Sequence, residues 1–128
     1  MTPTEHARKL HFQRQATADN EIARLYGLME KTVAAAFAVP LNELRAPSRR
    51  TADVAFARQS AMYLAHVALG LSLSMVGRIV ERHRTTAAHA CQLVEMRRDD
   101  PTIDQLLDTL EDACGDLARD MHELRVTS

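Results

Sequence analysis

Apolar side chains recur at intervals of three and four along most of the chain, and nowhere do they alternate as in a strand. Ile22, Leu25, Tyr26, Met29, Val33 and Phe37 predict an amphipathic helix over residues 20–37, with Asp19 as its cap, Glu21 favoured by the helix dipole and Pro40 as its stop. Residues 1–18 are polar and poorly patterned, and read as a flexible arm or a frayed helix start. "LNEL", 41–44, is at most one short helical turn, and "RAPSRR", 45–50, is a basic loop broken by Pro47. Thr51 or Asp53 opens a second long helix whose stripe is Val54, Ala57, Ala61, Leu64, Ala65 and Ala68, with Gly70 as a stop. Ser72 suits the N-cap of a short helix over 73–80, with Leu73, Val76 and Val80 inward. After a break at 81–83 another helix runs over about 84–98, with Ala87, Ala90, Cys91 and Val94 on one side. Asp100 and Pro101 then start a last helix. Its stripe is Ile103, Leu106, Leu107, Leu110, Leu117, Met121 and Leu124, interrupted by Gly115 at a cost of about 1 kcal/mol relative to alanine.

The pattern predicts an all-α protein. Its organisation is an arm at 1–18, a helical domain at 19–100 and an amphipathic helix at 101–128. A short helix, a tight turn and a second helix over 73–98 have the order of a helix-turn-helix, in which the start of the second helix enters the major groove. "RHRTTAAH", 82–89, occupies that start. Arg82, His83, Arg84, Thr85, Thr86 and His89 concentrate donors there, while Ala87, Ala90 and Cys91 pack backward. A metal site, a nucleic-acid reader and an ordinary polar helix start with Thr85 as N-cap all fit such a cluster.

Composition narrows these choices. Aromatics are 4% and Trp is absent, so Leu, Val, Ile, Met and Ala must build the core, a palette that favours helices. No apolar run approaches the roughly 20 residues of a membrane span. "MTPTEHARKLHFQRQ" lacks the apolar segment of a secretory signal, so a cytoplasmic, nucleoid-associated protein with reduced Cys91 and Cys114 is expected. Neither CxxC nor HxxxH spacing occurs around His83, His89 and Cys91, which argues against zinc. Nothing points to a metal, a cofactor or catalysis, and the carboxylates at 104, 108, 111 and 112 read as a solvated face. The net charge of −1 conceals polarity: residues 45–98 carry nine Arg against three carboxylates, and residues 99–128 carry two Arg against nine. Arg is the side chain suited to forked contacts with phosphate and guanine.

The stretch "ARQSAMYLAHVALGLSLSMVGRIVERHRTTAAHA", 57–90, resembles the C-terminal DNA-binding domain (domain IV) of the bacterial replication initiator DnaA. That family pairs an Arg-Gln-x-Ala-Met-x-Leu helix with Ser-Leu-x-x-Ile-Gly and then Gly-Gly-Arg-Asp-His-Thr-Thr-Val-x-His-Ala. Arg58, Gln59, Ala61, Met62, Leu64, Ser72, Leu73, Gly77, Arg82, Thr85, Thr86, His89 and Ala90 fit it, and "KTVAAAFAVPLNEL" with Arg49 and Arg50 resembles its first helix and basic loop. The resemblance spans roughly residues 31–98. It implies a Trp-repressor-like helix-turn-helix bundle that binds double-stranded DNA at DnaA-box-like sites. By the matching positions, Arg50 would reach the minor groove, beside Arg49. Arg82, Thr85 and Thr86 would meet the major groove, flanked by His83, Arg84 and His89. Arg58 and Gln59 would lie near phosphates.

There are departures. The family's Gly-Gly is shortened and replaced around Val80 and Glu81, its Asp-His is His83-Arg84, and a phosphate-contacting Lys corresponds to His66. No glycine-rich phosphate loop is present, and residues 1–30 and the acidic last helix have no obvious counterpart, which implies a stand-alone relative without the AAA+ module. Two functions follow. In one, the protein binds DnaA-box-like DNA and regulates replication initiation. In the other, the fold has become a protein-binding regulator that contacts the initiator or its AAA+ inactivating factor, with DNA binding weakened or lost.

Overall fold

Six helices follow one another in the computed structural model, which describes the backbone of residues 2–46 and 51–127 and the side chains of 2–9, 19–46 and 51–122. They are α1 (Pro3–Ala36), α2 (Leu41–Arg45), α3 (Ala52–Val67), α4 (Leu73–Ile79), α5 (Arg84–Arg97) and α6 (Pro101–Thr127). No strand occurs among the described residues, and no helix there is long and apolar enough to cross a membrane. The all-α expectation holds, and most predicted breaks fall within a residue or two of the observed ones.

The main departure is at the N-terminus. The segment expected to be an arm is helical from Pro3 onward and continuous with the helix expected at 20–37. Thr2 and Glu5 form a reciprocal capping box, in which the Thr2 hydroxyl accepts from the Glu5 amide at 3.2 Å and the Glu5 carboxylate accepts from the Thr2 amide at 3.1 Å. Pro3 sits in the first turn, where its missing N–H costs nothing. Most of residues 5–18 are good helix formers (Glu, Ala, Arg, Lys, Leu and Gln), and neither Gly nor Pro occurs until Gly27, so propensity extends the helix where no apolar stripe marks it. Asp19 is therefore interior to α1 and caps nothing.

The other end of α1 closes three residues before Pro40. The Val39 N–H reaches back to the Ala34 carbonyl at 2.9 Å and the Ala38 N–H to Ala35 at 3.2 Å, with Ala38 at φ +55°. This is a Schellman motif with alanine in the position usually held by glycine.

The core sits around α3, which packs against every other helix. Its buried residues are Val54, Phe56, Ala57, Ser60, Ala61, Tyr63, Leu64 and Ala65, a belt wider than the single stripe the spacing predicts. Met29 and Val33 of α1, Val76 of α4, Val94 of α5, and Leu107 and Cys114 of α6 are fully buried around it. Phe37 meets Phe56 edge to face at 5.5 Å between centroids, and the Arg97 guanidinium lies 4.4 Å from the centre of the Phe56 ring. Helix α6 packs along α1 and α3, so the last helix is docked.

Candidate nucleic-acid interface

The donor cluster is presented by a turn built at residues 77–83. Helix α4 starts as its sequence predicts, with the Ser72 hydroxyl accepting from the Met75 amide at 3.1 Å. It ends in a second Schellman motif: the Arg82 N–H donates to the Gly77 carbonyl at 2.8 Å and the Glu81 N–H to Arg78 at 3.3 Å. Glu81 takes φ +57°, so the left-handed residue of the turn is present although it carries a side chain where the family has glycine. Gly77 makes the close approach possible. A Cβ there would stand 2.9 Å from the Arg82 carbonyl oxygen and 3.2 Å from the Arg84 nitrogen.

Helix α5 begins immediately after the turn. His83, not Thr85, is its N-cap, and no side chain caps its first amides. Thr85 lies inside the first turn, with its hydroxyl 3.3 Å from His83 Nδ1. Arg82, His83, Arg84, Thr85, Thr86 and His89 are all exposed, while Ala87 and Ala90 are buried beneath them. Uncapped N–H groups, the positive end of the helix dipole and the absence of an acid in the first turn make this end attractive to phosphate.

A cleft of about 750 Å³ runs beside the turn and draws together α1, α2, α3 and the start of α5. Gln59, Arg58, Arg82, Thr86 and His89 line it, so five of the expected site residues share one concave surface. His83, Arg84 and Thr85 are not among its lining residues. Arg49 and Arg50 lie outside the described residues.

Two of the cations near this cleft have structural duties. The Arg58 guanidinium donates to the main-chain carbonyls of Glu43 at 2.6 Å and Leu44 at 3.0 Å, satisfying acceptors at the end of α2. It thereby anchors α2, and with it the entry to the basic loop, on α3. Arg45, the last residue of α2, pairs with Glu30 at 3.1 Å. Burial raises the Glu30 carboxyl above its ordinary range more strongly than Arg45 lowers it. His66, at the family's lysine position, is likewise committed: its Nδ1 is 2.7 Å from the Leu71 carbonyl, which can only accept, so Nδ1 carries the proton.

The acidic helix is not simply solvated. Arg98, at the C-cap of α5, binds Asp104 at 2.6 Å and also pairs with Asp108 and Glu111. It donates to the Tyr63 hydroxyl at 3.0 Å, and that hydroxyl donates to Glu95 at 2.6 Å. Burial and the Glu95 hydrogen bond push the Tyr63 phenol up to about 12, against the lowering effect of Arg98. Desolvation would disfavour the Arg98 charge, but its carboxylate and phenol partners together hold the guanidinium firmly protonated. One half-buried cation thus ties α3, α5 and α6 together. Arg98→Gln should lower the unfolding free energy by about 1–2 kcal/mol, a value discounted because the carboxylates are partly exposed. Urea melts of both proteins in low and high salt check it; a difference that does not shrink with salt contradicts an ion-pair origin.

Comparison with known proteins fixes the lineage. Residues 28–94 match the family model described as the bacterial DnaA protein helix-turn-helix, a span of more than half the chain. The chain belongs to the bacterial DnaA helix-turn-helix family. Within that family it is 43% identical over 67 residues to chromosomal replication initiator protein DnaA 1 of Protochlamydia amoebophila, covering 52% of this chain and 15% of that protein. It is 38% identical over 74 residues to DnaA 2 of Chlamydia pneumoniae, 57% and 16% of the two chains. With DnaA of Laribacter hongkongensis it shares 36% identity over 92 residues, 70% and 17%. The chain thus spans about one sixth of the length of these DnaA relatives. Among solved structures, a DNA replication initiation factor superposes with a TM-score of 0.73 at 25% identity, over 88% of this chain and 36% of the other. That coverage exceeds the 28–94 segment, so the likeness to this structure also takes in helix outside residues 31–98.

Proposed function

We propose that this chain binds double-stranded DNA at DnaA-box-like sites and regulates replication initiation, as a binding protein and not an enzyme. The observation that carries the reading is the start of α5. Six exposed donors stand on a helix end that no side chain caps, on a turn held by backbone packing, within the segment matched to the family. Arg82, Thr85 and Thr86 meet the major groove, with His83, Arg84 and His89 beside them; Arg58 and Gln59 lie by the phosphate backbone; Arg49 and Arg50 approach from the basic loop. In this reading residues 19–100 form the DNA-binding unit, and 101–128 brace it while adding an acidic face.

The second reading, a regulator that contacts the initiator or its AAA+ inactivating factor, is favoured by one specific observation. His66 replaces a phosphate-contacting lysine and is turned to an internal carbonyl instead.

A titration of the pure protein against a DnaA box, a scrambled duplex and a randomised pool, at two salt concentrations, separates the two. Selective binding should appear and should fall roughly tenfold or more on Arg82→Ala, in line with about 1–3 kcal/mol for a good base contact. Weak binding that is indifferent to sequence and vanishes at the higher salt, together with nuclease-resistant capture of the purified initiator or AAA+ factor, selects the protein-binding reading instead.

A further inference from the structure

We propose that Arg84 reads a guanine in the major groove, so that the preferred duplex of this chain is fixed at that position by the O6 and N7 acceptors of guanine. The inference rests on the DNA-binding reading above and deepens it. Between residues 82 and 89 there is no carboxylate and no carboxamide. Cytosine offers the major groove an amino donor, which calls for an acceptor such as Asp or Glu. Adenine offers a donor beside an acceptor, which suits Asn or Gln. The start of α5 has neither kind of side chain. It holds Arg, His and Thr, and the forked guanidinium matches only guanine in a bidentate manner.

Arg84 is the residue placed to make that contact. It is the first residue of α5, it is exposed, and among the described residues its guanidinium has no hydrogen-bond or ion-pair partner. Other cations of the basic segment are engaged: Arg45 with Glu30, Arg58 with the end of α2, and Arg98 with α6. The root of the Arg84 side chain is also fixed. Its backbone nitrogen packs 3.2 Å from where a Cβ on Gly77 would stand, so the helix start lies directly against the backbone of α4. His83 and Thr85 face one another at 3.3 Å, which leaves Arg84 between two neighbours that engage each other. A rigid root with an unengaged fork reduces the ordering cost of a base contact.

The test is selection of the preferred duplex from a randomised pool with the full chain, followed by titrations with the wild type, Arg84→Ala and Arg84→Gln. Far-UV circular dichroism confirms that these exposed-site variants keep their helices. The wild type should select guanine at one position by roughly 5- to 150-fold over other bases, the worth of a bidentate contact. 7-Deazaguanine at that position should weaken the wild type and leave Arg84→Ala unaffected. Arg84→Gln should move the preference at the same position from guanine to adenine. If Arg84→Ala weakens all duplexes equally and the base profile is unchanged, Arg84 contacts phosphate and this inference fails while DNA binding stands. If the wild type binds no duplex at all, both fail.

Discussion

Replacing Leu107 with alanine is expected to cost about 3 kcal/mol of stability and to lower the melting temperature by on the order of 10 °C. Leu107 is fully buried, and Leu110 and Cys114 continue its line one and two turns on, at 4% and 0% exposure. Ile103 and Leu106 pack against the same core. Deleting the Leu107 side chain removes its transfer free energy and leaves a cavity bounded by α1 and α3, which cannot close without shifting two other helices. Leu117 is only partly buried, so Leu117→Ala should cost less, about 1 kcal/mol. Truncation after Asp100 should cost more than either, because it also strips the three carboxylates from Arg98. Thermal melts of the three variants give the order. If Leu107→Ala melts with the wild type, α6 is not docked in solution, and its stripe serves self-association.

Helix positions were legible in the sequence where packing and pattern agree. Ser72, the spacing of Ala87, Ala90, Cys91 and Val94, and Pro101 announce α4, α5 and α6 because each buries one face. The start of α1 was missed although its signal is present: Thr2, Pro3 and Glu5 spell a capping box, but no apolar stripe follows to draw attention to it. The burial of Phe56, Ser60 and Tyr63 was missed for the opposite reason. Helix α3 is surrounded, so residues off its main stripe are buried as well. The exposed donors of α5 were legible as a group, since a helix start with buried Ala87 and Ala90 beneath it must turn the rest outward. What Arg58, His66 and Arg98 do was not legible. Arg58 bonds carbonyls 14 and 15 residues away, and Arg98 collects carboxylates and a phenol from two other helices. Only the tertiary arrangement brings those partners together. It also changes the meaning of the acidic helix, for Asp104, Asp108 and Glu111 are occupied by Arg98. Neutralising them would perturb the fold as well as the field around it, whereas Asp112 is exposed and offers a cleaner probe of electrostatic repulsion.

The turn at 77–83 should respond to two small substitutions with opposite signs. Gly77→Ala places a Cβ 2.9 Å from the Arg82 carbonyl oxygen and 3.2 Å from the His83 carbonyl carbon and the Arg84 nitrogen. All three neighbours are backbone, so no flexible side chain can yield, and the loss should be about 2–3 kcal/mol. Any relief must come from moving the start of α5 away from α4. The same substitution should therefore weaken DNA binding beyond what the lost stability explains, even at temperatures where the variant is fully folded. Glu81→Gly acts on the other half of the motif. Glu81 holds φ +57°, a conformation that strains a residue with a Cβ and leaves glycine unstrained. Relief of that strain exceeds the extra freedom glycine gains in the unfolded chain, so the variant should be more stable by about 1 kcal/mol. It also removes the only carboxylate between residues 54 and 94, so its affinity for duplex DNA should rise, most clearly at low salt. Denaturant melts read the two stabilities and titrations at two salt concentrations read the two affinities. A stable, fully binding Gly77→Ala protein would mean that the helix start is not held by this contact. A destabilised Glu81→Gly protein would mean that the Glu81 side chain, not its backbone, is what the turn requires.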